Sequence, residues 1–271
     1  MNTRKLRPLA CCALMLLGPA TLRAQAPPPA TTPPATPDVP APPTGPPLDT
    51  AGIIAQARAD QKAGRYADAL ALLQAPILGA PAPAPPSDAK ALRLAVADVQ
   101  YAWARNLARD SPARALPHFQ VALAIDRALR PTAAADDLNE TGIACEQLGQ
   151  HDRSVDACRQ ALTLYGQAGD ANGQAKVLDN LAVAYEHLGQ SGRAIGLYRR
   201  SAALHRQAGD KRGQADALDN LGLTYDALHQ YARAAGFHRQ ALRLFQQAGD
   251  KDGAAEARGN LNLARRLLKS R

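Results

Sequence analysis

The tetrapeptide Gln167-Ala168-Gly169-Asp170 returns as Gln207 to Asp210 and again as Gln247 to Asp250, each time after 40 residues. Leu178-Asp179-Asn180-Leu181, Leu218-Asp219-Asn220-Leu221 and Gly259-Asn260-Leu261 keep the same register. An internal period of this size means stacked supersecondary units, none of which can bury its apolar face alone. Within one unit the period is helical. Ala175, Leu178, Leu181, Ala182, Tyr185 and Leu188 fall on one face, and Gly189-Gln190 breaks the run. A second stripe, Ala194, Leu197, Tyr198, Ser201 and Leu204, ends before the Gly209-Asp210 turn. Each unit therefore reads as a helix A followed by an antiparallel helix B. Composition agrees, because 46% apolar content with only 4% aromatic residues implies a core of Ala and Leu, which suits closely packed helices.

The pattern Asn180-Leu181-Ala182-x-x-Tyr185-x-x-Leu188-Gly189, followed by Ala194, Tyr198 and Ser201, resembles the tetratricopeptide repeat. Asn220-Leu221-Gly222-x-x-Tyr225-x-x-Leu228, then Tyr231, Ala234 and Ala241, resembles it more closely. The 40-residue period departs from the usual 34 and is similar to the longer variety of kinesin light chains and Pins-type adaptors. That resemblance implies an all-α, right-handed superhelical solenoid of antiparallel helix pairs that holds extended peptides in a concave groove. One unit earlier, Gly142, Cys145, Leu148, Gly149, Ser154, Cys158, Ala161 and Leu162 occupy the same positions, and Gly64, Tyr66 and Ala69 mark a first unit. The stretch from about Ser87 to Leu129 is irregular, with Trp103 where a small residue is usual, a helix start at Pro112 and a kink expected at Pro117. The expectation is about five helix pairs over residues 48–271, with a capping helix at 253–269 whose Arg265, Arg266 and Lys269 suit an exposed end.

The amino terminus reads as a secretory signal over residues 1–26: Arg4, Lys5 and Arg7, an apolar run from Leu9 to Leu17, then Gly18-Pro19 and small residues. Cleavage after Ala26 fits the small-x-small rule but leaves Pro27 beyond the scissile bond, so Ala24 is the alternative. The apolar run is shorter than the ~20 residues of a membrane-spanning helix, which argues against a stable span; an uncleaved leader would instead tether the chain to the inner membrane. Residues 27–47, almost entirely Pro, Ala and Thr, form an extended spacer or a plain solvated tail. Export to the bacterial periplasm follows from this reading. Losing Arg4, Lys5, Arg7 and Arg23 lowers the net charge from +8 to +4, and no basic run with interleaved aromatics suggests nucleic acid.

The downstream cysteines, Cys145 and Cys158, fall on antiparallel helices with an axial offset of roughly 9 Å, beyond the ~7 Å reach of a disulfide, so two buried free thiols are expected. No HExxH, phosphate loop, paired CxxC or nucleophile elbow occurs, and the motifs present recur with the repeat, whereas a catalytic site would be unique. No enzyme activity, cofactor or metal is expected. The histidines, His118, His151, His187, His205, His229 and His238, include no i, i+4 pair on one helix and read as surface or groove residues.

The informative residues lie on helix A opposite its packing stripe: Lys176, Asn180, Val183 and His187. That line carries an apolar residue at one register in four successive units, Ile143, Val183, Leu223 and Leu263, beside Glu140, Asn180, Asn220 and Asn260. Amides beside aliphatics can bond an extended peptide backbone while seating its side chains. The other reading is that the aliphatics pack against the next helix A while the asparagines join neighbouring units. On the outward positions of the last four A helices, nine acids (Asp136, Glu140, Glu146, Asp179, Glu186, Asp216, Asp219, Asp226 and Glu256) face only Lys176 and Arg266. An acidic groove favours a neutral or basic partner segment. Self-association of the repeats into oligomers is the rival expectation.

Overall fold

The computed structural model describes residues 49–78 and 86–270; the signal and spacer expectations fall on residues outside these. The described residues form eleven helices in chain order. The first pair is α1 (Thr50–Lys62) with α2 (Tyr66–Leu78), the second α3 (Pro86–Ala108) with α4 (Pro112–Leu129), the third α5 (Pro131–Gln147) with α6 (His151–Ala168). The fourth pair is α7 (Ala171–His187) with α8 (Ser191–Gln207), the fifth α9 (Lys211–Ala227) with α10 (Tyr231–Ala248), and α11 (Lys251–Lys269) closes the stack. The expected all-α solenoid of antiparallel pairs is thus present, including the irregular second unit, whose α3 runs to 23 residues and whose α4 continues through Pro117. The last helix begins at Lys251 rather than Gly253, because Asp250 is its cap.

The recurring Gly-Asp pair explains the 40-residue unit. Gly169, Gly209 and Gly249 follow α6, α8 and α10 with φ of 69°, 73° and 74°, the left-handed region that L side chains avoid. The next residue then starts a helix: Asp170, Asp210 and Asp250 each accept a hydrogen bond from the backbone N–H three residues on, at 2.9, 2.9 and 3.0 Å. Each such cap stabilises its helix by roughly 1 kcal/mol. The capped N–H belongs to Gly173, Gly213 or Gly253, and here glycine is required for space. A Cβ on Gly173 would lie 2.3 Å from the Tyr165 ring, and one on Gly253 2.6 Å from the Phe245 ring. The last aromatic of helix B therefore lies across the start of the next helix A and sets the distance between units.

Each odd-numbered helix contacts the next odd-numbered one from α1 to α11, whereas among the described residues no even-numbered helix contacts another. The A helices consequently line the inner side of the stack. One apolar core runs unbroken from Ala135 to Ala264, threaded by Tyr165, Tyr185, Tyr198, Tyr225 and Phe245. A separate cluster around Ala57, Leu73, Leu92 and Val99 holds the first units together. Trp103 bridges them, stacking on Tyr66 at 5.9 Å and meeting the His118 ring at 4.2 Å. Cys145 and Cys158 are buried and free. Burial pushes the Cys158 thiol up to about 12.

Candidate peptide-binding face

Helix A is buried on two flanks, not one. In α7, Leu178, Leu181, Ala182 and Tyr185 pack inward, while Val177 and Ala184 are equally buried against neighbouring helices. What remains is a narrow strip along the inner side. On α7 it consists of Lys176, exposed, Asn180 and Val183, half-buried, and His187, exposed. The same sequence of exposures recurs on α5 at Asp136, Glu140, Ile143 and Gln147, and on α9 at Asp216, Asn220, Leu223 and Ala227. Asn260 is half-buried on α11, but Leu263 stands 44% exposed, with no helix packed beyond α11 among the described residues. The aliphatic row is therefore partly a packing row, with Val183 resting against the continuous core.

The amides are divided between two tasks. Asn180 donates from Nδ2 to Oδ1 of Asn139 at 2.8 Å, and Asn260 from Nδ2 to Oδ2 of Asp219, also at 2.8 Å. Each bond joins one helix A to the preceding one. Each bond uses one N–H of the amide, and the carbonyl and second N–H of these half-buried residues carry no further hydrogen bond among the described residues. The Asn220 side chain has no such bond among the described residues. Glu140 lies beside them, its carboxyl raised above the usual range by burial, against which the Arg105 charge acts.

Most of the acids counted as groove-facing belong elsewhere, and this corrects the sequence expectation. Asp219 is only 7% exposed and sits 2.6 Å from Nδ1 of His238, whose Nε2 lies 3.0 Å from Asp226. Asp179 is 3.6 Å from Nε2 of His205, and Nδ1 of the same ring lies 3.0 Å from Asp210. Glu186 accepts from the Tyr198 hydroxyl at 2.9 Å and from Thr224, and Asp136 accepts from Tyr165. These carboxylates pin helix A to helix B. The inner strip itself carries Glu140 and the exposed Asp136, Asp216 and Glu256.

The histidines need the same correction, since His238 and His205 are 0% and 3% exposed rather than surface residues. His238 occupies the helix B position held by Cys158 and Tyr198 in earlier units, and His205 the position of Tyr165 and Phe245. Both substitute for large packing residues. Gly222 gives His238 its room, since a Cβ there would lie 2.6 Å from the ring. Burial alone would lower the His238 pKa, but Asp219 and Asp226 hold its proton and the net shift is upward. For His205 the carboxylate of Asp179 is the leading cause of an upward shift.

Two further groupings were not legible beforehand. Glu146, His151 and His187 converge where α5, α6 and α7 meet. Asp137, 1% exposed, faces a pocket of about 200 Å³ with Asp98, Asp126, Asp136 and Arg130. Arg130 reaches Asp98 at 2.7 Å and Asp126 at 2.8 Å, leaving Oδ2 of Asp137 without a hydrogen-bond partner. Burial, and next the Asp126 charge, push the Asp137 carboxyl up to about 8.

A family model described as tetratricopeptide repeat matches residues 135–207 and, in a second register, 173–247. Among solved structures, aspartyl phosphate phosphatase F of Bacillus subtilis is similar, with a TM-score of 0.61 at 11% identity over 82% of this chain and 58% of that one. A signal-transduction ATPase with a tetratricopeptide-repeat sensor from Pyrococcus horikoshii gives 0.59 at 16% identity over 79% of this chain, which spans only 32% of the ATPase. A putative kinesin light chain from Podosopora anserina with nearly identical TPR-like repeats gives 0.51 at 19% identity, covering 73% of this chain and 95% of that one. At such identities the likeness is one of fold. No curated protein sequence matches the chain.

Proposed function

Because this chain belongs to the tetratricopeptide-repeat family, which binds protein partners, we propose that it is a non-enzymatic adaptor of the bacterial cell envelope. It holds an extended polypeptide segment along the inner strip of α5, α7, α9 and α11. The observation that carries this reading is the recurrence, unit after unit, of a half-exposed polar side chain beside a half-exposed aliphatic: Glu140 with Ile143, Asn180 with Val183, and Asn220 with Leu223. An extended chain advances ~3.3 Å per residue and packed helices lie 8–10 Å apart, so one rung meets about every third residue. Peptide amides bond to the free halves of Asn180, Asn220 and Asn260, and apolar side chains rest on the aliphatic row.

Asp136, Glu140, Asp216 and Glu256 give the strip an acidic balance against Lys176, which favours a neutral or basic segment. The proposed export rests on the leader-like sequence of residues 1–26. Among the described residues, no helix is long and apolar enough to cross a membrane. Fluorescence anisotropy with peptides from a crosslinked partner tests the proposal: Asn220→Ala combined with Leu223→Ala should weaken binding at least tenfold, and Arg239→Ala on α10 should not. Equal effects would contradict it.

Self-association is the second reading, favoured by Leu263 and Leu268, which stand 44% and 46% exposed on the terminal α11. Light scattering on serial dilution distinguishes the two, since only self-association requires a stable oligomer that Leu268→Ser dissolves.

A further inference from the structure

Glu146 lies in the last turn of α5, His151 is the first residue of α6, and His187 is the last residue of α7. The first two flank the tight turn at Gly149, whose N–H bonds to the Glu146 carbonyl at 3.0 Å, so the local backbone fixes their relative placement. Stacking of the next unit then delivers His187. Nδ1 of His151 lies 2.8 Å from Oε1 of Glu146, and Nδ1 of His187 meets the same oxygen. The two imidazole rings are 4.9 Å apart. One ligand atom from each of the three side chains falls within 4.8 Å of the others.

The repeat supplies an internal control. At the same register the next junction has Glu186, Ser191 and Ala227, and the one after has Asp226, Tyr231 and Leu267. Imidazoles occupy these two positions only where they meet a carboxylate and each other, so the demands of repeat packing do not account for them. A second observation concerns Glu146 itself. Its Oε2 is buried and has no hydrogen-bond partner among the described residues, an unmet acceptor that a cation at the carboxylate would satisfy.

We propose that Glu146, His151 and His187 form a binding site for a late first-row divalent ion, zinc in the first place, which clamps the third repeat to the fourth at the edge of the inner strip. Two imidazoles and one carboxylate are ligands that zinc takes at ~2.0–2.2 Å, and they leave a fourth, solvent-facing position open. Tetrahedral bonds of that length set ligand atoms ~3.3–3.5 Å apart. The hydrogen-bonded cluster reaches this spacing by side-chain rotation, because His151 and His187 are 27% and 55% exposed at the side chain. Calcium and magnesium, which demand several oxygen ligands, are poorly served.

The test is titration of the untagged, chelator-treated protein with zinc chloride against a chromophoric competitor, with cobalt substitution read by visible absorption. The wild type should bind one zinc per chain and, with cobalt, give the intense bands of tetrahedral coordination. Zinc should also raise its unfolding temperature. His151→Ser and His187→Ala carry the residues that the next repeat tolerates, Ser191 and Ala227, and keep the fold; each should weaken zinc binding at least tenfold and abolish the thermal shift. His229→Ala should change nothing. Absence of saturable binding, or equal binding by the wild type and the doubly substituted chain, overturns the proposal. So does a preference for calcium or magnesium over zinc.

Discussion

Replacing Asp137 by Asn should stabilise the protein, by an amount that depends steeply on pH. In the folded chain Asp137 is almost completely buried, Arg130 is engaged by Asp98 and Asp126, and Oδ2 has no partner. The carboxyl is held neutral with its pKa pushed up from 3.8 to about 8. Because the folded pKa exceeds the unfolded one, the native chain at pH 7 retains a proton that the unfolded chain releases. That retention costs about 1.4 kcal/mol per pH unit above the unfolded pKa, or roughly 4 kcal/mol at pH 7 and under 2 kcal/mol at pH 5. Asn is neutral and of the same shape, and its amide finds an acceptor in neighbouring Asp126, so it avoids the cost. Urea denaturation at both pH values measures the difference. A gain of about 3–4 kcal/mol at pH 7 that shrinks by half or more at pH 5 is expected. An equal gain at both values, or a loss at pH 7, would refute the reasoning.

His238 should give the folded stability a further pH dependence. Its pKa is raised, so its contribution is complete below ~6.5 and is lost as pH rises through the folded value, at up to about 1.4 kcal/mol per unit. His238→Tyr, which copies Tyr198, should remove that slope from the denaturation profile; an unchanged slope would count against the Asp219–His238–Asp226 bridge. His229 has φ of 58° where Gly149 and Gly189 have 71° and 72°. His229→Gly should therefore raise stability by roughly 0.5–1 kcal/mol, read as a higher melting temperature. Cys145 and Cys158 should resist alkylation in the native protein and react fully in denaturant, as mapped by mass spectrometry.

The solenoid was legible because its signals are local and repeated: Gly-Asp at the last three unit boundaries, and stripes at i, i+3 and i+7. The amide and aliphatic rows were legible for the same reason. The acids were misplaced because a helical wheel separates inside from outside but says little about the flanks. Asp179 and Glu186 stand only about 100–120° from Tyr185, on the sides that meet other helices. His238 could have been found from the pairing of Gly222 with a large residue in the column of Cys158 and Tyr198. The Glu146 cluster had no such signal, since His151 and His187 are brought together by stacking rather than by spacing along one helix.

The central claim is that the inner strip of the A helices holds a polypeptide. A photo-crosslinking amino acid placed in turn at Val183 and Leu223 on the strip, and at Arg199 and Arg239 on helices α8 and α10, tests it in the native host. The account expects one protein crosslinked from both strip positions and from neither of the others. Crosslinks from Arg199 and Arg239 alone would contradict it.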